Sequence, residues 1–226
     1  MTRYALVTFD VYSALFDIAG SLTPPLRRLS GLGEAEAAAA FALWRAKQLE
    51  RAAISTALGL AHTSFREATR QALAYVERRY KLSLSEEQRR ELVMAWDRLT
   101  PWPEAPEVLK TLKARGYALA ILSNGDRDML KAVADSLPVA FDHIFSCEEA
   151  GHYKPHPEIY ALPVRKLNLE RTRILHVAGG SSDALGAVAA GLPCYWSNRT
   201  GDAVLDPAFA PTYDRPDLSG LLEILT

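Results

Sequence analysis

Four short segments of the chain carry polar side chains that could do chemistry together. They contain Asp10, the pair Ser123 and Asn124, Lys154, and Asp183. In such a set one carboxylate can attack a substrate, the lysine ammonium can support its ionised form, and the second carboxylate can orient water. The sequence therefore predicts nucleophilic catalysis, provided that the fold brings these segments to one place.

The elements between these segments alternate between strand and helix. Short apolar runs without strict polar alternation are typical of a parallel sheet that is covered on both faces. They lie at residues 4–9, 117–122, 143–146, 174–177 and 193–197, and helical patterns lie at 106–115, 127–136, 157–167 and 183–190. Gly116 and Gly191 stand where helix ends favour a left-handed residue. The alternation predicts an α/β fold, a doubly wound parallel sheet whose strand ends converge on one crevice.

One long segment breaks this alternation. From about Leu15 to Asp97 there is no convincing strand, and the periodicity is helical, for example at 34–57 and 65–79. We therefore predict a core domain of residues 1–15 and 98–226 and a helical cap domain of residues 16–97. Because the insertion begins directly after Asp10, we expect the cap over the carboxyl end of the first strand, where open α/β sheets bind ligands.

Composition and charge exclude several classes of protein. The 226 residues are 49% hydrophobic, which is ordinary for a globular protein, and 26 basic residues nearly balance 27 acidic ones. There is no dense basic stripe for a nucleic acid and no apolar run of the roughly 18 residues that a membrane span needs. The first residues lack the features of a signal peptide. Cys147 and Cys194 form no metal or redox motif, so we expect buried cysteines in a cytoplasmic protein.

The four segments, taken in order, resemble the motifs of the haloacid dehalogenase superfamily. The matching stretches are 9–17, 121–125, 153–155 and 183–187. Three more stretches are similar to the type II L-2-haloacid dehalogenases, at 44–50, 154–160 and 196–201. The resemblance covers essentially the whole chain. It implies a Rossmann-like core with a helical cap, and an enzyme that acts on carbon–halide bonds.

The resemblance also implies roles for individual residues. Asp10 would attack the halogen-bearing carbon of a short 2-haloacid, and water would hydrolyse the resulting ester to a 2-hydroxy acid. Lys154 would hold Asp10 ionised, Asp183 would orient Lys154 or help to activate the water, and Ser123 would bind the substrate carboxylate. Arg45 and Asn124 would receive the halide. The pocket for the alkyl part would be lined by Tyr12, Leu49, Phe65 and Tyr160.

The sequence departs from the family pattern at several polar positions. Where the family has polar or bulky groups that position water and substrate, this chain has Ala14, Ala46, Ala178, Gly180 and Ser182. Removing a positioned donor can cost about 10²–10³ in rate. Three explanations stay open: Ser181 and Ser182 substitute for the lost groups, the enzyme is slow, or its substrate differs.

Two other functions are possible. A Mg²⁺-dependent phosphatase of this superfamily needs a second aspartate two residues after the first, where this chain has Tyr12, and an acidic pair near motif four, where only Asp183 remains. A non-catalytic homologue that binds a small carboxylate or a protein partner is the third hypothesis. We expect no metal and no cofactor, since His152, His156 and His176 lack paired ligand spacing. Family resemblance implies a homodimer.

The candidate residues also have simpler structural interpretations. They are a helix or turn cap for Asp10 and Asp183, a turn for Ser123 and Asn124, and a solvated loop lysine for Lys154.

Overall fold

The computed structural model describes residues 3–59 and 62–226. Contacts between Cα atoms divide the chain into two compact units, Met1–Phe16 with Pro101–Thr226, and Asp17–Thr100.

The first unit is built on a six-stranded parallel sheet. The strands of the chain are β1 Leu6–Phe9, β2 Phe16–Asp17, β3 Thr100–Pro101, β4 Ala118–Ser123, β5 His143–Ser146, β6 Ile174–Ala178, β7 Cys194–Ser197 and β8 Tyr213–Arg215. The order across the large sheet is β5-β4-β1-β6-β7-β8, and every neighbouring pair is parallel. The predicted doubly wound parallel sheet is therefore confirmed. The strand order reverses at β1, which lies between β4 and β6.

The helices of this unit connect the strands. Numbered in chain order, they are α5 Ala105–Ala114, α6 Arg127–Asp135, α7 Cys147–Ala150, α8 Pro157–Leu167, α9 Ser181–Ala189 and α10 Leu221–Ile224. All residues of β1 and β6 are buried, as expected for strands covered on both faces. Gly116 and Gly191 have φ angles of +83° and +82°, so both adopt the left-handed conformation predicted for them.

The structure corrects some details of the sequence prediction. Helix α9 begins at Ser181, two residues before the predicted start, so Asp183 lies within its first turn. A two-residue strand, Phe16–Asp17, lies in the segment for which no strand was predicted, and it pairs with Thr100–Pro101. Such short strands leave no periodic signal in the sequence.

The second unit is helical. Its helices are α1 Ile18–Ser30, α2 Glu34–Ala57, α3 Phe65–Tyr80 and α4 Glu86–Met94. Helix α2 packs against α1 and α3, and α3 packs against α4. Trp44 is fully buried in this unit and lies edge-on to Trp96, with 5.6 Å between ring centroids. Its Nε1 donates to the Thr69 carbonyl oxygen at 2.9 Å. Among the described residues, no helix is long and apolar enough to cross a membrane.

Candidate active site

The carboxyl ends of β1, β4 and β6 bring together the polar side chains predicted from the sequence. Asp10 follows β1, Ser123 ends β4, and Asp183 lies in the first turn of α9 after β6. Lys154 reaches them from the segment between α7 and α8. This is the edge at which the strand order reverses, and open α/β sheets bind ligands there.

Asp10 is held by hydrogen bonds at both of its carboxylate oxygens. It precedes a single π-helical turn, Val11–Leu15, and its Oδ2 accepts from the Ser13 backbone N at 3.1 Å and from Ser13 Oγ at 2.9 Å. Its Oδ1 accepts from Ser123 Oγ at 2.9 Å, and Lys154 Nζ lies 3.4 Å away. The carboxylate is therefore fixed in orientation at the end of the strand.

Lys154 and Asp183 form a buried ion pair. Lys154 Nζ donates to Asp183 Oδ2 at 2.9 Å, and the two side chains are only 5% and 11% exposed. Burial alone would raise the pKa of Asp183, but the charge of Lys154 and the hydrogen bonds of Lys154 and His176 hold it well below its ordinary value. Burial opposes the charged form of Lys154 as well, yet Asp183 and Asp10 raise the pKa of its ammonium above the ordinary value.

Two buried aromatic side chains hold Asp183 in place. The Tyr160 hydroxyl donates to Asp183 Oδ1 at 2.7 Å, and burial together with this carboxylate raises the pKa of Tyr160 well above its ordinary value. His176 Nε2 lies 3.2 Å and 3.1 Å from the two Asp183 oxygens and 3.4 Å from Lys154 Nζ. Its Nδ1 lies 2.9 Å from Thr8 Oγ1 on the neighbouring strand. Both oxygens of Asp183 are thus occupied by partners within the protein.

His176 and Ser13 belong to this cluster, although the sequence analysis assigned neither of them to the site. His176 is fully buried, and its partners are Asp183, Lys154 and Thr8. A histidine in the middle of an otherwise apolar strand was the signal that could have indicated it. Ser13 stands three residues after Asp10, which is a spacing at which a hydroxyl can return to a capping carboxylate.

Asn124 fixes the backbone at Lys154. Its Oδ1 accepts from the Lys154 backbone N at 2.9 Å and from Cys147 Sγ at 2.9 Å. The structure thus assigns Asn124 a positioning contact, and its predicted role toward a halide stays a prediction.

Tyr12 and Tyr160 are both buried in the first unit. A Cβ added at Gly125 would meet the Tyr12 hydroxyl at 2.5 Å, and one added at Gly186 would meet the Tyr160 hydroxyl at 2.6 Å. Each tyrosine hydroxyl therefore packs against a glycine, and a side chain at that glycine would collide with it. The predicted role of both in lining a pocket stays a prediction.

The remaining predicted site residues lie in the helical unit. Arg45 Nη1 donates to Gln48 Oε1 at 2.6 Å, and its guanidinium carbon lies 5.5 Å from the centroid of the Trp96 ring. Leu49 lies one turn further along α2 and is partly exposed, whereas Phe65 is fully buried at the start of α3. These contacts hold Arg45 in a defined orientation on its helix.

Both cysteines are buried and free, as predicted. Burial raises the pKa of the Cys147 and Cys194 thiols well above the ordinary value. Among residues 3–59 and 62–226, no group of three or more His, Cys, Asp or Glu side chains is arranged to hold a metal ion.

The geometry suits a nucleophilic carboxylate. Asp10 is fixed next to a cation and two hydroxyl donors, whereas Asp183 is saturated by Lys154, Tyr160 and His176. One carboxylate is thus placed to attack and the other to hold the ammonium.

The chain is similar to known proteins over nearly its whole length. The family model of the haloacid dehalogenase-like hydrolases matches residues 4–191. The chain is 34% identical to the (S)-2-haloacid dehalogenase of Pseudomonas sp. (strain YL), over 96% of this chain and 93% of that protein. It is 32% identical to haloacetate dehalogenase H-2 of Moraxella sp. (strain B), over 100% of this chain and 99% of that protein.

A solved structure is similar over nearly the whole chain. The L-2-haloacid dehalogenase of Xanthobacter autotrophicus with chloropropionic acid covalently bound superposes with a TM-score of 0.86 at 28% identity, covering 98% of each chain.

Proposed function

The chain belongs to the haloacid dehalogenase-like hydrolases, and we propose that it is a hydrolytic dehalogenase that converts short (S)-2-haloalkanoic acids to 2-hydroxy acids. The observation that carries this proposal is the Asp10 carboxylate, fixed at the carboxyl end of β1 with Lys154 Nζ at 3.4 Å and Ser123 Oγ at 2.9 Å. The names of its relatives agree with the same chemistry.

In the first step Asp10 displaces the halide. A carboxylate oxygen attacks C2 of the haloacid, a C–O bond forms, and the halide leaves with the electron pair of the carbon–halogen bond. Halide needs no proton to leave, so the presence of Tyr12 where a phosphatase has its acid is no obstacle. The product of this step is an ester between Asp10 and the substrate.

Ser123 connects substrate binding to this attack. A serine hydroxyl has one proton to donate, and in the structure it is donated to Asp10 Oδ1. If Ser123 donates instead to the carboxylate of the substrate, as family resemblance implies, Oδ1 loses that hydrogen bond and gains a free lone pair. Binding of the substrate would then release the attacking oxygen.

In the second step water hydrolyses the ester at its carbonyl carbon. Asp183 is ionised, because its pKa is held below the ordinary value, and it fixes the Lys154 ammonium at 2.9 Å, so that Lys154 can orient the water. The proton of the water passes to the oxygen of the departing hydroxy acid. The 2-hydroxy acid leaves and the Asp10 carboxylate is restored.

A magnesium ion does not fit this set of donors. Mg²⁺ needs several oxygen ligands with free lone pairs, but Asp10 and Asp183 both face the Lys154 ammonium, and Tyr160 and His176 occupy the other side of Asp183. The site residues are therefore unsuited to a divalent metal, and their contacts do not favour the phosphatase alternative.

The other assignments are part of the same proposal. Family resemblance supports Arg45 and Asn124 as the groups that receive the halide, and Tyr12, Leu49, Phe65 and Tyr160 as the lining for the alkyl part. It also supports the helical unit as the cap, a homodimer and a cytoplasmic location.

Isotope labelling tests the covalent step. In a single turnover of 2-chloropropionate in ¹⁸O water, the label should enter the peptide that contains Asp10, and the first product should be unlabelled. Asp10→Asn should abolish halide release, because an amide is a poor nucleophile. Label in the first product and none in the peptide would refute the aspartyl ester. Phosphate release from a panel of phosphate esters with Mg²⁺, without halide release, would favour the phosphatase.

A further inference from the structure

We propose that Ser13 is a further catalytic residue, whose backbone N–H and hydroxyl stabilise the oxyanion that forms on Asp10 Oδ2 while water hydrolyses the aspartyl ester. The inference rests on the proposed function and deepens it, since neither family resemblance nor the comparisons assign a role to this serine.

The two oxygens of Asp10 differ in their donors. Oδ2 accepts from the Ser13 backbone N at 3.1 Å and from Ser13 Oγ at 2.9 Å, whereas Oδ1 accepts from Ser123 Oγ at 2.9 Å and has Lys154 Nζ at the longer distance of 3.4 Å. A carboxylate oxygen offers about two lone-pair sites. Oδ2 therefore uses both of its sites in good hydrogen bonds, and Oδ1 is the better nucleophile.

This difference decides which oxygen carries charge in the second step. When Oδ1 has become the ester oxygen, Oδ2 is the carbonyl oxygen and still faces Ser13. Water attacks the side-chain carbonyl carbon, a C–O bond forms, and the carbonyl π electrons move to Oδ2. The tetrahedral intermediate collapses, the bond to Oδ1 breaks, and the hydroxy acid leaves as an alcohol with the proton given up by the water.

Ser13 is anchored on both sides, as a donor to a transition state should be. A Cβ at Gly179 would lie 2.3 Å from the Ser13 carbonyl carbon and 2.6 Å from Ser13 Oγ, so the loop after β6 packs directly against this serine. Trp102 Nε1 donates to the Ser13 carbonyl oxygen at 3.2 Å. Both donors are thus held toward Oδ2 before the reaction begins. Ala14, the next residue, has no hydroxyl that could take over this contact.

The alternative is that the Ser13 hydroxyl only holds Asp10, which caps the turn Val11–Leu15. Loss of that contact would lower stability and disturb both chemical steps together. A lost oxyanion donor would slow hydrolysis more than the displacement of halide, so the ester would accumulate. The ratio of the rates of halide displacement and ester hydrolysis therefore distinguishes the two roles.

Rapid-quench mass spectrometry of the intact enzyme, with 2-chloropropionate as substrate, measures that ratio. In Ser13→Ala we expect hydrolysis about 100-fold slower, a halide burst of nearly one equivalent, and most of the enzyme in the ester form at steady state. Ser13→Gly should behave in the same way and provides a second variant if Ser13→Ala folds poorly. Ser13→Thr, which keeps a hydroxyl, should restore hydrolysis, and thermal unfolding of each variant monitors the stability of the fold.

The outcomes separate this inference from the proposed function. Halide release by Ser13→Ala and Ser13→Gly with no accumulated ester would overturn the role of Ser13 alone. Ester that accumulates in Ser123→Ala and not in the Ser13 variants would also overturn it, because Oδ1 would then be the carbonyl oxygen. If the wild-type enzyme forms neither halide nor ester, the proposed function fails and the inference fails with it.

Discussion

The two carboxylates of the site receive different kinds of donors. Asp10 is held closely by two hydroxyls and a backbone N–H, with the Lys154 ammonium farther away at 3.4 Å, while Asp183 is held by that ammonium at 2.9 Å, a phenol and an imidazole. Neutral donors leave Asp10 able to react, because a hydroxyl can change partners. The buried ion pair leaves Asp183 fixed, which suits a group that orients Lys154 and water.

The contact of Tyr160 with Asp183 gives a first prediction. Tyr160→Phe removes a 2.7 Å hydrogen bond to an ionised carboxylate, and such bonds contribute about 1.5–3 kcal/mol. We expect kcat for halide release to fall by about 10- to 100-fold, if most of that energy orients Asp183. Tyr195→Phe is the matched control, since its hydroxyl donates to the Asp217 carbonyl oxygen outside the site, and it should keep wild-type kcat. Equal kinetics in the two variants would show that Tyr160 does not act through Asp183.

Arg45 gives a second prediction at the same scale. Its guanidinium donates to Gln48 and lies over the Trp96 ring. These contacts depend on the planar shape of the guanidinium as well as on its charge. Arg45→Lys should therefore lower kcat about tenfold or more, although the charge is kept, if the guanidinium receives the halide. The control is Arg70→Lys, an exposed arginine paired with Glu67 on the same unit. Unchanged halide release in Arg45→Lys would make Arg45 a structural residue of its helix.

The sequence was informative for site residues that stand in motifs. Asp10, Ser123, Lys154 and Asp183 follow predicted strands, so the parallel sheet itself accounts for their meeting. Ser13 and His176 could not be assigned in this way. Their roles depend on which atom of a neighbouring carboxylate they reach, and that is fixed by the π-helical turn and by the register of β6 beside β1.

At the scale of elements, the loop after β6 packs on the turn after β1 without space for a side chain. A Cβ at Gly179 would come within 2.3 Å of the Ala14 backbone N, whereas a Cβ at Gly180 would meet nothing within 4 Å. We predict that Gly179→Ala loses about 1–3 kcal/mol of unfolding free energy through overpacking and most of its halide release, because the turn that holds Asp10 must shift. Gly180→Ala is the neighbouring control and should stay close to wild type in both measurements. Similar losses in both variants would contradict this account.

The elements that were not predicted lack a local signal. Strand β8 has three residues, two of them exposed, so it has no apolar run. Helix α1 contains Pro24 and Pro25, and proline is unfavourable inside a helix. The helix nevertheless runs from its Asp17 cap to Gly31 and buries Leu22 and Leu26. Tertiary packing of the apolar face outweighs the local preference in that helix. Helix α2, long and rich in alanine, was predicted with the bounds it has.

At the scale of the whole molecule, catalysis should be independent of divalent metal. The cation that faces both carboxylates is part of the chain, and its ammonium is 3.4 Å from Asp10 and 2.9 Å from Asp183. Halide release after dialysis against EDTA should therefore equal that of the untreated enzyme, and added Mg²⁺ should not increase it. Activity that is lost in EDTA and restored by Mg²⁺ would contradict the assignment of Lys154 as the cation of the site.

The same ion pair links the stability of the molecule to pH. The pKa of Asp183 is lowered on folding from 3.8, so its contribution to the unfolding free energy is complete above that value and is lost as pH falls toward the folded pKa. The pKa of Lys154 is raised from 10.5, so its contribution is complete below that value and is lost as pH rises through the folded pKa. Between about pH 5 and pH 10 both contributions are therefore present.

Urea unfolding of the wild type and of Asp183→Asn over a pH series tests this linkage. Below pH 4 the stability of the wild type should fall more steeply than that of the variant, by up to about 1.4 kcal/mol per pH unit, because the unfolded state alone binds the proton of Asp183. Asp135→Asn, which removes an exposed partner of Lys131, should follow the wild-type curve, since surface pairs contribute little. If Asp183→Asn and the wild type lose stability in parallel below pH 4, Asp183 is not held ionised by the site, and the pair with Lys154 does not stabilise the fold.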